Sequence, residues 1–474
     1  MKPKLKVFEQ FSNAILPHEA QYLLKIGSFQ DEGKKDIFNK LIHNALFPND
    51  IKEFNEDLDK RKYHYIRTWI ETKLYQIDVD KIGDWLLDFK RKLFLDLITS
   101  EEEKKILEYV KAYKKIGFNF MNVYEIMKEY RSYLLIRLRY GDHEIVNDFL
   151  NKYSSAYEKS RKIQEKLYQA TIEITENYTG NSDKNIVWEK WLKKVFLTDG
   201  VNGSNRYKAF ILLAFLYNSN RNTEKLKLIF DEIDHFFSQG EMYCRRLLYN
   251  YYSSRVLLHS KQNEIEKAIY YGKLSVRQNN EDTLMYVNNL VSIYLRARAF
   301  PEAKILLESY ESHYEKSHNH YRRISYISYY LRILFELGLY QKAENIGSYF
   351  LKKFTKEIFE FRWHHFFTSY INILLIQEKY NDILALEQKY NIIELEKKRQ
   401  HKNNFIPNLA WSILLAYYME NKISKNQLIN FIDESLEGVS ADNSVMEKAE
   451  KILTKNLPEL DRIFKSHFTK VSTQ

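Results

Sequence analysis

Three histidines fall within eight residues in "SHYEKSHNHY", at positions 313, 318 and 320, and two more adjoin in "RWHHFF" at 364 and 365. Imidazoles gathered like this can hold a transition metal when carboxylates or thiolates complete the set. The first cluster lies between two blocks of helical pattern, where histidines beside polar loop residues are solvated, and no metal site is expected. The lone cysteine, Cys244, stands in "EMYCRRLLYN", where Arg245 and Arg246 would favour its thiolate. Its place in the apolar pattern predicts instead a small core residue. Acidic neighbours such as Asp78 and Asp80, or Asp231 and Glu232, read as helix ends and helix faces. The chain carries no G-x-x-x-x-G-K-[ST], G-x-G-x-x-G, G-x-S-x-G or H-E-x-x-H motif. The expectation is a protein that is not an enzyme, with no cofactor.

Two stretches mix cations with aromatic rings: "KRKYHYIR" (60–67) and "YRSYLLIRLRY" (130–140). Stacking on bases together with pairing to phosphates needs this mixture. The net charge of +10 admits nucleic acid, an acidic protein or an anionic surface as partner and requires none of them. Acids intersperse the basic runs, so most are expected to be solvated helix faces.

These residues must be positioned by helices. Proline occurs at 3, 17, 48, 301, 407 and 458 only, leaving 49–300 without one. Proline costs about 3 kcal/mol inside a helix, so the run suits a helical chain. At 474 residues and 45% hydrophobic composition the chain exceeds one ordinary core, which predicts several domains or one elongated array. A single cysteine rules out an intramolecular disulfide. No uncharged apolar stretch reaches the ~18 residues of a membrane span. Glu9, Gln10 and Asn13 interrupt the start as a signal-peptide core. A cytoplasmic, soluble protein without membrane insertion is expected.

Along the chain, helices are predicted over 36–47, 50–77, 121–139, 142–153 and 155–178. A capping box on Ser100-Glu101-Glu102-Glu103 would start another. Gly, Ser, Asn and Asp concentrate at 178–185 and 198–206, around a short aromatic helix. We therefore expect a helical N-terminal region over 1–180, helical repeats over 205–440, and a C-terminal helix and tail over 441–474.

The repeat is legible at an interval of forty. Leu290, Tyr330 and Tyr370 fall in register, as do Tyr294, Leu334 and Leu374; Phe300, Tyr340 and Tyr380; and Ala303, Ala343 and Ile383. Fainter copies precede them, with Leu258, Ile265 and Ala268 in one and Tyr217 and Leu226 in another; 407–436 offers a last pair. A block of this length makes two antiparallel helices, neither of which can bury its apolar stripe alone, so pairs stack. Gly338 should end a first helix in a left-handed cap, and Pro301 should sit in the first turn of a second helix.

On these residues, over about 210–436, the chain resembles the tetratricopeptide (TPR) family. The match is a small or polar residue, an aromatic two places on and an alanine three later. The forty-residue period is longer than the family's usual one. The resemblance implies an all-α fold: an α-solenoid of antiparallel helix pairs in a right-handed superhelix, here preceded by an irregular helical region. It also implies a concave side, lined by the first helices, that binds extended or helical peptides. On those helices the polar places between apolar ones form two columns, Asn288, Ser328 and Thr368, and Ser292, Arg332 and Asn372, with His365, Tyr249 and Tyr252 flanking. Such residues suit hydrogen bonds to a peptide backbone or carboxylate. The expected function is a non-enzymatic scaffold or regulator holding a protein or peptide partner. A nucleic-acid-associated factor using the basic, Tyr-rich N-terminal surface, and a peptide-sensing effector acting through its N-terminal bundle, are the alternatives.

Overall fold

The computed structural model describes residues 5–176, 184–220, 222–400, 405–436 and 450–465, apart from 452, 456 and 463. Among these residues every regular element is helical. No described helix is long and apolar enough to cross a membrane. Much of the expected break at 178–185 and of the tail from 441 lies outside the described residues. The chain divides into two compact units, Met1–Glu264 and Ile265–Gln474. The division falls inside the segment expected as repeats rather than near 180–205.

In the first unit, helix Lys60–Ile77 starts later than the predicted 50–77, because Asp59 accepts a hydrogen bond from the Arg61 amide and caps it there. Phe54 lies outside that helix yet packs edge-on against Phe8 and Tyr63. The two helices predicted at 142–153 and 155–178 are one, Tyr140–Glu176, 37 residues and roughly 55 Å long. Ser154 does not break it, since its hydroxyl donates back to the Asn151 carbonyl. The capping box sits one residue earlier than predicted. Thr99 is the cap: its hydroxyl accepts from the Glu102 amide at 3.4 Å, and the Glu102 carboxylate accepts from the Thr99 amide at 3.0 Å. Glu103 is committed elsewhere, to Arg139 and the Tyr130 hydroxyl. Helices Val79–Phe94, Ser100–Lys111, Phe120–Ile136 and the start of Tyr140–Glu176 enclose an apolar core around Leu86, Phe120, Met127 and Val146.

In the second unit the first helices of successive blocks pack side by side: Thr283–Arg296 on His320–Glu336, that on Trp363–Ile376, and that on Asn408–Met419. Each second helix, Phe300–Ser309, Tyr340–Lys353 and Tyr380–Tyr390, packs on the first helix of the block after it. The corner within a block is the same backbone structure each time. Arg298, Gly338 and Glu378, forty residues apart, all have φ between 57° and 73°. The following amide closes each corner on the carbonyl five residues back, Ala299 to Tyr294, Leu339 to Leu334 and Lys379 to Leu374. Pro301 lies in a first turn as expected. Ala303, Ala343 and Ile383 are fully buried. A second small position, unnoticed in the sequence, lies four residues beyond the alanine. A Cβ on Gly272 would sit 2.6 Å from Leu290, and one on Gly347 would sit 2.5 Å from the Tyr370 ring. Leu290 and Tyr370 occupy the same register, so the two contacts are one contact repeated. The length beyond the two helices is spent in the links, which carry the short helices Glu311–Lys316 and Ile392–Lys397 and a π-helical turn, Ile358–Arg362.

Candidate functional site

The first helices of the second unit place the two polar columns differently. Asn288 and Ser328 are buried, at 6% and 0% exposure, and face the neighbouring helix rather than open surface. Asn288 Nδ2 donates to the Arg322 carbonyl at 3.0 Å, and the Ser328 hydroxyl donates to Ile324 at 2.7 Å. Half-buried Thr368 accepts from Asn408, the next member of the same register, at 3.2 Å. Asn288 and Thr368 thus tie neighbouring blocks together, while Ser328 bonds within its own helix. The spacing marked the column as polar but did not reveal that a helix touching neighbours on both sides has a second inward flank.

Ser292, Arg332 and Asn372 are half-buried on the other column. The Ser292 hydroxyl donates to Asn289 at 2.7 Å and also meets the Tyr329 hydroxyl. Tyr329 lies edge-on to His365, ring centres 5.0 Å apart. Burial lowers the His365 pKa to about 3, with Arg362, Arg332 and His364 adding to the effect through their charges. His365 is therefore neutral at physiological pH, and its Nδ1 is buried without a hydrogen-bond partner. Burial also lowers the Arg332 pKa, with Glu336 and Tyr329 opposing. Among the described residues no carboxylate lies within ion-pair distance of Arg332.

Arg362 completes the group and was not singled out from the sequence. It is the last residue of the π-helical turn and the cap of helix Trp363–Ile376, and such turns favour functional positions. Its Nη1 donates to the Ser325 hydroxyl at 2.6 Å, and its guanidinium lies 4.5 Å from the Tyr321 ring centre. The signal that would have found it is the interval of forty from Arg322. Arg322 is neutralised by Asp282 at 2.8 Å, whereas Arg362 pairs with no described carboxylate. Two guanidiniums thus flank a neutral imidazole and a tyrosine, in surroundings dry enough to shift both His365 and Arg332. Cations held without counterions in low dielectric attract an anionic group more strongly than exposed ones do.

The other candidates resolve differently. Tyr249 and Tyr252, expected to flank the groove, are buried in the first unit. With Nε2 of His18 donating to Asp234 at 2.8 Å, its Nδ1 accepts the Tyr252 hydroxyl at 2.9 Å. Tyr251 and Arg255 complete this network, and His18 is 4% exposed. Burial works against the Asp234 charge, but His18, Tyr251 and Arg255 together hold its pKa below the usual carboxylate range. The cluster fastens helix Pro17–Ile26 to the helices Thr223–Ser238 and Arg245–Lys261, beside the fully buried Glu19, which accepts from Tyr243, Arg245 and the Leu16 amide. Cys244 is buried as expected, although as the extended cap of helix Arg245–Lys261 and not within it. Burial raises its thiol pKa, and the adjacent arginines are engaged with Glu19 and Asp80.

His313 meets Asn279, while His320 stacks on Phe361, and no group of three His, Cys, Asp or Glu able to hold a metal occurs among the described residues. Many cations of the two basic stretches are paired: Lys62 with Asp31, Arg67 with Glu71, Arg137 with Asp96, and Arg139 with Glu103 and Asp142. An open cavity of about 900 Å³ lies in the first unit between Tyr157, Tyr168 and Tyr207, with Glu125 and Glu165 offset by Arg161 and Lys208. Its balanced charges select no ligand class. Compared with known protein families, with curated proteins and with solved structures, the chain matches none.

Proposed function

We propose that the second unit is a TPR-like solenoid of antiparallel helix pairs, and that the protein is a non-enzymatic, cytoplasmic scaffold or regulator. On this reading the first helices line a concave surface that holds a partner peptide bearing a carboxylate. The observation that carries it is the pair Arg332 and Arg362, which lie around His365 with no described carboxylate in ion-pair contact, Glu336 acting on Arg332 only from farther off. Asn372, with no side-chain hydrogen bond among the described residues, and Ser292 would hold the peptide backbone alongside. The recurring left-handed corner, with a fixed register across three blocks, supports stacking of like pairs. Four of the seven cations in the two basic stretches of the first unit are ion-paired, which weighs against the nucleic-acid alternative.

The test is fluorescence anisotropy of the whole protein with two labelled peptide pools, one rich in Asp and Glu and one with the amides Asn and Gln in their place. The reading expects tighter binding of the acidic pool and its loss in Arg332→Glu. Equal affinity for the two pools, or binding that survives Arg332→Glu combined with Asn372→Ala, would overturn it.

A further inference from the structure

Two neighbouring corners of the first unit are unusually bare. Phe94, Leu95 and Leu97 in one, and Leu135, Ile136 and Leu138 in the other, expose between 46% and 78% of their surface. The corners adjoin, because Arg137 Nη2 donates to Asp96 Oδ1 at 2.7 Å across them. Each is closed like the corners of the repeat: Asp96 and Leu138 have φ of 54° and 56°, and the amides of Leu97 and Arg139 return to Lys92 and Leu134.

That likeness permits a comparison position by position. Two residues before the left-handed one, the repeat corners carry exposed Arg296 and Glu336 and half-buried Ile376, whereas these carry Phe94 and Ile136, which are 66% and 78% exposed. Three before it, Leu295, Leu375 and also Leu93 are covered, at 3%, 0% and 7% exposure, whereas Leu135 is 46% exposed. At the left-handed position itself stand Arg298, Gly338 and Glu378, against Leu138. A non-glycine residue there costs roughly 1–2 kcal/mol, and the Leu138 side chain is 69% exposed, with little contact in its own chain to offset it. Large apolar side chains clustered and exposed like this mark a contact surface.

We propose that this edge is where a second copy of the chain docks. The charges on it argue for that occupant. Arg91 is matched by Asp88 and Arg137 by Asp96, with Lys90 over the Phe94 ring as the remaining cation. So balanced an edge has little net field to draw an anionic bilayer, a nucleic acid or an acidic peptide. It is, however, its own complement: a two-fold axis near the Asp96–Arg137 pair brings each residue of one protomer to the opposite charge of the other, with the leucines facing one another.

Sedimentation velocity and light scattering of the whole protein across a wide concentration range test this. The expected species has twice the 57.3 kDa of the chain, and Ile136→Asp with Leu138→Asp halves that mass while the helical circular dichroism is unchanged. Asp96→Arg and Arg137→Asp are each expected to be monomeric alone and to form a dimer when mixed in equal amounts. A native chain that is monomeric throughout, a dimer that persists in the double aspartate variant, or no association on mixing the charge variants overturns the proposal. So does a monomer that binds anionic vesicles through this edge. The peptide-pool measurement concerns the second unit, so either reading can fail without the other.

Discussion

Gly347 of one helix pair lies directly under the ring of Tyr370 in the next, with so little room that a Cβ would stand 2.5 Å from a ring carbon. The same arrangement joins Gly272 to Leu290. Stacking of pairs therefore depends on an absent side chain as much as on the buried Ala303 and Ala343.

Gly347→Ala is expected to lower stability by roughly 1–3 kcal/mol through overpacking, read as a shift of the urea midpoint with unchanged slope. Gly338→Ala faces open space but has φ of +73°, so its cost of about 1–2 kcal/mol comes from the backbone alone. In a Tyr370→Ala background, where the ring is gone, the first substitution should cost less and the second should cost the same.

The depressed pKa of His365 fixes a direction for acid sensitivity. Its folded value, about 3, lies below the ordinary 6.5, so the fold keeps its full contribution above pH 6.5. That contribution is lost progressively as pH falls from 6.5 towards 3, at no more than about 1.4 kcal/mol per pH unit. His365→Phe keeps a ring beside Tyr329 and is expected to flatten the stability profile in this window. A profile unchanged by the substitution would show that His365 is not held neutral.

Helix Ser100–Lys111 offers a test of register. Thr99→Ala should cost about 1 kcal/mol, because the cap and its reciprocal Glu102 bond are lost, whereas Ser100→Ala should be nearly neutral. Thermal unfolding of the two variants separates them, and the opposite order would restore the box to the later residues.

Glu19→Ala removes the acceptor shared by Tyr243, Arg245 and the Leu16 amide. The buried Tyr243 hydroxyl and an unpaired guanidinium are then left behind, at a cost of about 3 kcal/mol. Proteolysis within residues 5–30 should accelerate, since this cluster fastens helix Pro17–Ile26. An unchanged cleavage rate would assign that fastening to the apolar contacts alone.

The repeat was readable because aromatic, small and aliphatic residues return in one register, and that register also placed the left-handed Gly338. Arg298 and Glu378 gave no such sign, since the backbone bonds that close their corners leave little trace in residue type. Long elements were found with uncertain ends: Asp59 and Thr99 cap by side-chain geometry that neighbouring residues imitate equally well. The polar columns were found, but which flank of a helix meets another helix is a tertiary fact. Asn288 and Ser328 are therefore buried, while Arg332 and Asn372 are half-buried. Arg362 was marked only by its interval of forty from Arg322, and the Glu19 and His18 clusters join residues far apart in the chain that no local spacing announces.

Because Arg298, Gly338 and Glu378 recur at equal intervals, an in-frame genetic loss or gain of one whole block would join like to like, leaving each remaining corner with its usual partners. The corners are interchangeable in this way but the surface is not: the block that holds Gly338 also holds Arg332, whose equivalents are Ser292 and Asn372, so its loss would take that cation with it.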